Sequence, residues 1–239
     1  MKYLDLTLPS AAENLALEEA LLEQCDAGIG PEVLRIWEPP EWFVVLGYAN
    51  RVATEVDVAA CDSAGIPILR RSSGGGTVVQ GPGILCYAVV LRTETDPALE
   101  SITGTNRYVL GRVAEAVSGS LGKEVRIQGD TDLTVGDRKF AGNAQRRKRQ
   151  ALLFHGSLLL DADLDRIRSL LPLPSRQPAY RAGRAHADFL VNLELPAVAI
   201  RKALGDVWKT SGPMPSWPEA RTSELAVTQY RDEHWSRRW

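Results

Sequence analysis

Residues 70–78 read Arg70-Arg71-Ser72-Ser73-Gly74-Gly75-Gly76-Thr77-Val78. Three successive glycines let backbone N–H groups approach a ligand with no Cβ in the way, and successive N–H groups in a turn make a concave anion site. The two arginines add fixed charge and forked donors suited to phosphate or carboxylate. A Gly-Gly-Gly run on its own is more often a flexible turn than a site; beside the arginine pair it reads as a phosphate site. It is neither a P-loop, which needs Gly-Lys-Ser/Thr, nor the dinucleotide GxGxxG spacing. A second segment runs from Asp132 through Lys139, Gly142 and Asn143 to Gln145. A lysine flanked by small residues on a hairpin can be drawn to a bound anion and neutralise a carboxylate or α-phosphate as attack occurs. Standing alone, it would be read as a solvated lysine in a turn. The third segment, His155-Gly156-Ser157, lies in an apolar run. Its histidine would ordinarily be a satisfied strand residue, and beside the other two segments it becomes a candidate for positioning the lysine loop or the ligand.

These residues need elements to hold them. Ser10 followed by Glu13 is a capping-box signature, with Leu17, Ala20 and Leu21 behind it at helical spacing, so a helix is expected at about 10–25. VLRIW (33–37), WFVVLG (42–47), IPILRR (66–71), ILCYAVVL (84–91) and ALLFHGSLLL (151–160) read as strands, the third running straight into the glycines. A helical stretch falls at about 55–64. Val109, Val113, Ala116, Val117 and Leu121 predict an amphipathic helix stopped by Gly122. Residues 132–142 look like a hairpin turning at Gly136-Asp137. Helices are expected at about 163–171 and 196–209, with a polar loop over 176–188. The mixed order of elements favours an α+β fold with a mixed, largely antiparallel sheet flanked by helices. The domain division expected is a catalytic domain over 1–211 and a C-terminal tail, 212–239, that has no clean period and packs on it.

With 44 % hydrophobic and 24 % charged residues, the chain has the composition of a globular protein. A formal net charge of -2 gives no global basic field for nucleic acid. Three cysteines (Cys25, Cys61, Cys86), an odd number without CxxC spacing, argue against a disulfide framework and against a zinc site, and fit a reducing cytoplasm. No segment approaches the ~18 apolar residues of a membrane span, so a cytoplasmic protein with no membrane partner is expected.

The three segments, in this order and separation, resemble the lipoate-protein ligase A family of the biotin/lipoate ligase superfamily. RRSSGGGTVV is similar to that family's Arg-Arg-x-Ser-Gly-Gly-Gly-x-Val motif, GDRKFAGNAQ to its lysine motif, and FHGSLLL to its His-Gly-Thr/Ser-Leu-Leu motif. The resemblance spans about residues 5–195. It implies the superfamily's catalytic fold, which is like that of class II aminoacyl-tRNA synthetases, with an acyl tunnel beside ATP. Arg70, Arg71, Ser73, Gly74, Gly75, Gly76, Thr77, Val78, Lys139, Gly142, Asn143, His155 and Gly156 would bind nucleotide and acyl group. Lys139 would bridge acyl carbonyl and phosphate, and Asp132 would stand near the magnesium. The implied reaction converts lipoate or octanoate with ATP and Mg2+ to lipoyl-AMP or its octanoyl counterpart, then acylates a lysine of a lipoyl domain of 2-oxoacid dehydrogenases or of glycine-cleavage H protein. Gln80 stands where many members carry histidine, and the chain ends at Trp239 where two-domain ligases continue. The resemblance therefore implies a separate accessory subunit, or a protein performing only the transfer half.

Three other readings stand beside it. Lipoyl or octanoyl transferases of the superfamily use a cysteine and no ATP. Cys86 shares a strand face with Ile84, Ala88 and Val90 and reads as a packed core thiol, and no cysteine stands in 125–130, just before the hairpin. A biotin ligase ranks below that. A lipoyl-domain binder without activity is the reading from another class. The run Arg146, Arg147, Lys148, Arg149 reads as a solvated face or a dock for an acidic lipoyl domain rather than for nucleic acid.

Overall fold

A computed structural model describes residues 1–238; Trp239, counted with the C-terminal tail, lies outside them. The strands are β1 (Lys2–Asp5), β2 (Val33–Trp37), β3 (Phe43–Leu46), β4 (Ile68–Arg70), β5 (Val78–Gln80), β6 (Ile84–Arg92), β7 (Val125–Gln128), β8 (Asp132–Val135), β9 (Arg138–Arg147) and β10 (Ala151–Leu159). The helices are α1 (Ala11–Asp26), α2 (Val52–Glu55), α3 (Val58–Ser63), α4 (Ile102–Leu121), α5 (Leu164–Leu170), α6 (His186–Phe189), α7 (Ala197–Val207), α8 (Glu219–Leu225) and α9 (Glu233–Arg237). A seven-stranded sheet runs β1-β2-β6-β10-β9-β8-β7, and a three-stranded sheet runs β4-β3-β5. Among the pairings of these described strands, β1/β2 and β3/β4 are parallel and the rest antiparallel.

The central strands β6 and β10 are apolar along almost their whole length because both faces are covered. Leu85, Tyr87, Val89 and Leu91 face the cluster built with α4 and α7. Ile84 and Cys86 face the small sheet, and Ala88 and Val90 face α1. Helix α1 begins where the sequence predicts: Ser10 accepts from the Glu13 N–H, and the Glu13 carboxylate accepts from the Ser10 N–H at 3.0 Å. Gly122 closes α4 in the left-handed region at φ 66°.

Three expectations are corrected. The single helix at 55–64 is two short ones, because Val56 is extended and Asp57 caps a new start by accepting from the Ala60 N–H. The polar stretch 176–188 contains a 3-10 turn at Ala179–Arg181 and leads into α6. The tail forms α8, a π-helical turn (Ala226–Tyr230) and α9, and it sends Leu225, Ala226 and Tyr230 into the main core.

The hairpin β8–β9 contains a bulge that aims the lysine. Leu133 pairs with Ala141 but its neighbour Thr134 pairs with Lys139, so Phe140 is an extra residue on β9. Strict alternation would put Lys139 and Gly142 on opposite faces. The extra residue shifts the phase: Phe140 is wholly buried in the α4 cluster, while Lys139 Nζ lies only 3.1 Å from where a Gly142 Cβ would sit. On the adjacent strand pair, Gly156 makes room for Asn143, whose Oδ1 accepts from Tyr87 Oη at 2.6 Å. A Cβ at Gly156 would stand 1.8 Å from that oxygen. Gly156→Ala is therefore expected to lower unfolding stability by about 1–3 kcal/mol in urea titration, as overpacked cores do; a loss of a few tenths would mean the Asn143 side chain moves freely.

Candidate active site

A cavity of about 420 Å3 opens between the seven-stranded sheet, the three-stranded sheet and the segment 172–190. Part of its lining is apolar, with Leu15, Trp37, Val45, Val79, Leu159 and Phe189; the rest includes Arg71, Gly75, Gly76, Asp132 and Lys139. Such a division suits a ligand with a hydrocarbon chain and an anionic head.

The glycine loop is shaped from below by a buried polar chain. Arg71 donates to the carbonyls of Gly74 (2.6 Å) and Gly76 (2.7 Å), curling the loop around its own guanidinium. Gly75 takes φ 86°, and a Cβ there would meet Arg71 at 2.8 Å, so only glycine fits. Arg71 Nε also donates to Ser73 Oγ at 2.9 Å. The Ser73 hydroxyl also shares a hydrogen bond with His155 Nε2 at 2.6 Å, and the ring's Nδ1 meets the Glu18 carboxylate at 2.5 Å. Glu18 is almost wholly buried on α1. Burial opposes its charge, but His155, Arg35 and the Trp37 indole N–H (3.0 Å) outweigh that and hold the carboxyl below its usual range. Burial lowers the Arg71 guanidinium to about 10, with Glu18 acting against the fall, so its charge persists at neutral pH.

In the lysine hairpin, Lys139 Nζ pairs with Asp132 Oδ1 at 2.7 Å, and Tyr180 Oη donates to Asp132 Oδ2 at 2.7 Å. The Tyr180 ring packs on Phe189 at 5.3 Å between centroids, and Val191 N–H donates to the Lys139 carbonyl at 3.0 Å. Segment 172–190 thus covers the lysine hairpin and is fastened to its carboxylate. His186, on the same segment, is buried beside the cavity.

Arg71, Gly75, Gly76, Thr77, Val78, Asp132, Lys139, Gly142, Asn143, His155 and Gly156 all line this one cavity. Arg70, Ser73 and Gly74 do not line it. Arg70 is fully buried and gives its donors to backbone carbonyls of 47–50 and of the C-terminal segment, while Ser73 sits beneath the loop. Glu18, Tyr180 and His186 are the additions that sequence reading passed over. Glu18 left a trace: Leu15, Glu18 and Leu22 share one helical face, and a carboxylate on a buried stripe must find partners. Tyr180 and His186 left none within a polar loop.

Cys86 lines the cavity as well as the core, and its thiol donates to Gln80 Oε1. Burial pushes this thiol well above its ordinary range, with Glu18 adding to the effect. The basic run is not a solvated face: Arg146 stacks over Tyr48, Arg147 donates to Thr105 and to the Leu99 carbonyl, and Lys148 pairs with Glu23, leaving Arg149 exposed. Among the described residues no three ligating side chains are clustered for a metal. No described helix is long and apolar enough to cross a membrane.

Comparison with known proteins identifies the family and the fold. The family profile of the lipoyl protein ligase A/B catalytic domain matches residues 10–194, and the chain belongs to that family. It is 32 % identical over 246 residues to an octanoyltransferase LipM of Symbiobacterium thermophilum, covering 94 % of this chain and 84 % of the relative. It is 36 % identical over 160 residues to an Aeropyrum pernix protein named for lipoate-protein ligase A, a match spanning 66 % of this chain but only 57 % of that relative. The fold is similar to the bi-partite lipoate protein ligase of Thermoplasma acidophilum, with TM-score 0.84, 23 % identity and coverage of 99 % of this chain and 95 % of that one. It is likewise similar to a lipoate-protein ligase A solved with ATP, with TM-score 0.80, 24 % identity and 99 % of both chains covered. The protein is thus an enzyme of the lipoate ligase and octanoyltransferase family.

The buried His186 predicts a pH effect. Desolvation first, then Arg181 and Lys139, lower its imidazole from 6.5 to about 4. The unfolded chain takes up this proton at the higher pH, so the stability the neutral ring contributes is present above about 6.5 and is lost as pH falls toward about 4. The urea midpoint should decline through that window, and His186→Gln should flatten the decline; an equal slope in both proteins would assign the effect to other groups.

Proposed function

We propose that this enzyme activates lipoate or octanoate with ATP as an acyl-adenylate and transfers the acyl group to a lysine of a lipoyl domain or H protein. One observation carries the reading: Lys139, held by Asp132, and the Arg71-shaped glycine loop line a single cavity whose other wall is apolar. The carboxylate of the acid would attack the α-phosphorus of ATP, forming a mixed anhydride and releasing pyrophosphate. The amine of the acceptor lysine would then attack the acyl carbon, forming the amide, losing a proton and expelling AMP. Both steps gather negative charge on phosphoryl and carbonyl oxygens. An ammonium placed before the reaction lowers the barrier without reorganisation, and Lys139 is the group for this work. With the Gly74 and Gly76 carbonyls committed to Arg71, the loop's amides are the donors left for phosphate. The ATP in one solved ligase of similar fold and the lipoic acid in a Thermoplasma acidophilum relative support the choice of ligands. The E2 lipoyl domain that accompanies the bi-partite ligase supports the acceptor.

A second reading, acyl transfer through Cys86 without ATP, is favoured by the octanoyltransferase relatives and by the position of that thiol on the cavity wall. Its raised pKa and its hydrogen bond to Gln80 weigh against a thiolate. Lipoate- or octanoate-dependent ATP–pyrophosphate exchange by the purified chain separates the two. The ligase reading expects exchange that Lys139→Ala lowers by about 10²-fold or more, as for other removed electrostatic groups. No exchange, with transfer still seen from an octanoyl carrier, would overturn it. No exchange, with transfer from supplied lipoyl-adenylate, would assign activation to a separate accessory subunit.

A further inference from the structure

Arg70 is a buried cation whose partners are all backbone. Nε donates to the Trp235 carbonyl (3.1 Å), one terminal nitrogen to Gly47 (2.9 Å), Tyr48 (3.1 Å) and Asn50 (2.8 Å), and the other to Ser236 (3.2 Å) and Arg238 (2.7 Å). The carbonyls at the end of α9, which no helical N–H can satisfy, and those of the 47–50 turn therefore share one guanidinium. Trp235 Nε1 answers by donating to the Arg70 carbonyl at 2.8 Å, and the Arg238 guanidinium lies over both Trp235 (3.8 Å) and Tyr48 (4.1 Å).

The 47–50 turn in turn abuts the glycine loop at three points. Tyr48 N–H donates to the Ser73 carbonyl at 2.8 Å, Thr77 Oγ1 donates to Asn50 Oδ1 at 3.1 Å, and a Cβ on Gly47 would stand 2.1 Å from the Gly75 carbonyl. Moving the turn must move the loop. We infer that Arg70 is a positioning residue rather than a phosphate ligand, and that residues 232–238 are a working part of the anion site, locking the glycine loop through the 47–50 turn. This rests on the reading of that loop as the seat of the nucleotide phosphates.

The test uses the full chain, a chain ending at Arg231, Trp235→Phe, which removes the indole donor and keeps a ring, and Arg70→Ala in both chain lengths. Hydrogen–deuterium exchange of peptides spanning 72–78 needs no ligand. We expect exchange there to rise about tenfold in the shortened chain, as loss of charge-assisted hydrogen bonds worth one power of ten would give, and by a smaller factor in Trp235→Phe, with α4 peptides unchanged. If the shortened chain does not fold, Trp235→Phe decides alone. ATP affinity supplies the second readout: the KM for ATP should rise about tenfold with kcat at saturation kept, and Arg70→Ala should add less than its full effect once 232–239 are gone, because only its bonds to the 47–50 turn then remain to be lost. Unchanged exchange over 72–78, or an Arg70→Ala loss that multiplies with truncation, would overturn the inference. If the wild-type chain binds no ATP, the functional reading falls and the exchange data still decide this one.

Discussion

Glu18 is a carboxylate sealed between a helix and a sheet, and such a charge survives only if its neighbours compensate for the water it has lost. Those neighbours come from three parts of the chain. Arg35 and Trp37 approach from β2, His155 from β10, and through His155 the Ser73 hydroxyl and Arg71 belong to the same chain of contacts. One buried network thus joins α1, two strands of the main sheet and the floor of the glycine loop. Breaking such a pair by removing one partner costs about 3–5 kcal/mol, which is why the loop has a fixed shape although three of its residues are glycine.

The lysine hairpin presents the reverse problem. Under the proposed reading, a lysine that meets an incoming anion must be paired while it waits, yet free to leave. Asp132 supplies that pairing at the rim of the cavity, with both partners partly exposed, where an ion pair is weak enough to exchange. Tyr180 donates to the other oxygen of Asp132, and the Phe140 bulge turns the lysine toward the cavity. The small sheet and the C-terminal helices complete the scaffold by fixing the turn on which the glycine loop rests.

Much of this was legible in the chain because strong local rules applied. The capping box, the Gly122 stop and the Gly136-Asp137 turn act over a few residues, and the apolar runs of β6 and β10 follow from burial on both faces. What stayed hidden depends on partners distant in sequence. β1, the three-residue β5 and the edge strand β7 have too few residues to show a period. The C-terminal segment packs a half-buried Trp217, a buried Tyr230 and a half-buried Trp235 against three different surfaces, so no single periodicity marks its helices. Arg70 and Arg71 are adjacent and chemically alike, yet strand alternation turns one to the cavity and the other to the C-terminus. The motif revealed the loop but not this division of labour.

The central claim is that the acyl group is carried by a nucleotide held between Lys139 and the glycine loop, never by a thiol of the protein. Cys86 is the cysteine on the cavity wall that could contradict it. Intact-mass spectrometry of the chain after rapid quenching, with octanoate and ATP in one sample and an octanoyl-carrier thioester in another, tests this directly. The account predicts an unmodified chain in both, with octanoyl-AMP recovered from the first; a thioester-sized mass gain that disappears in Cys86→Ala would contradict it.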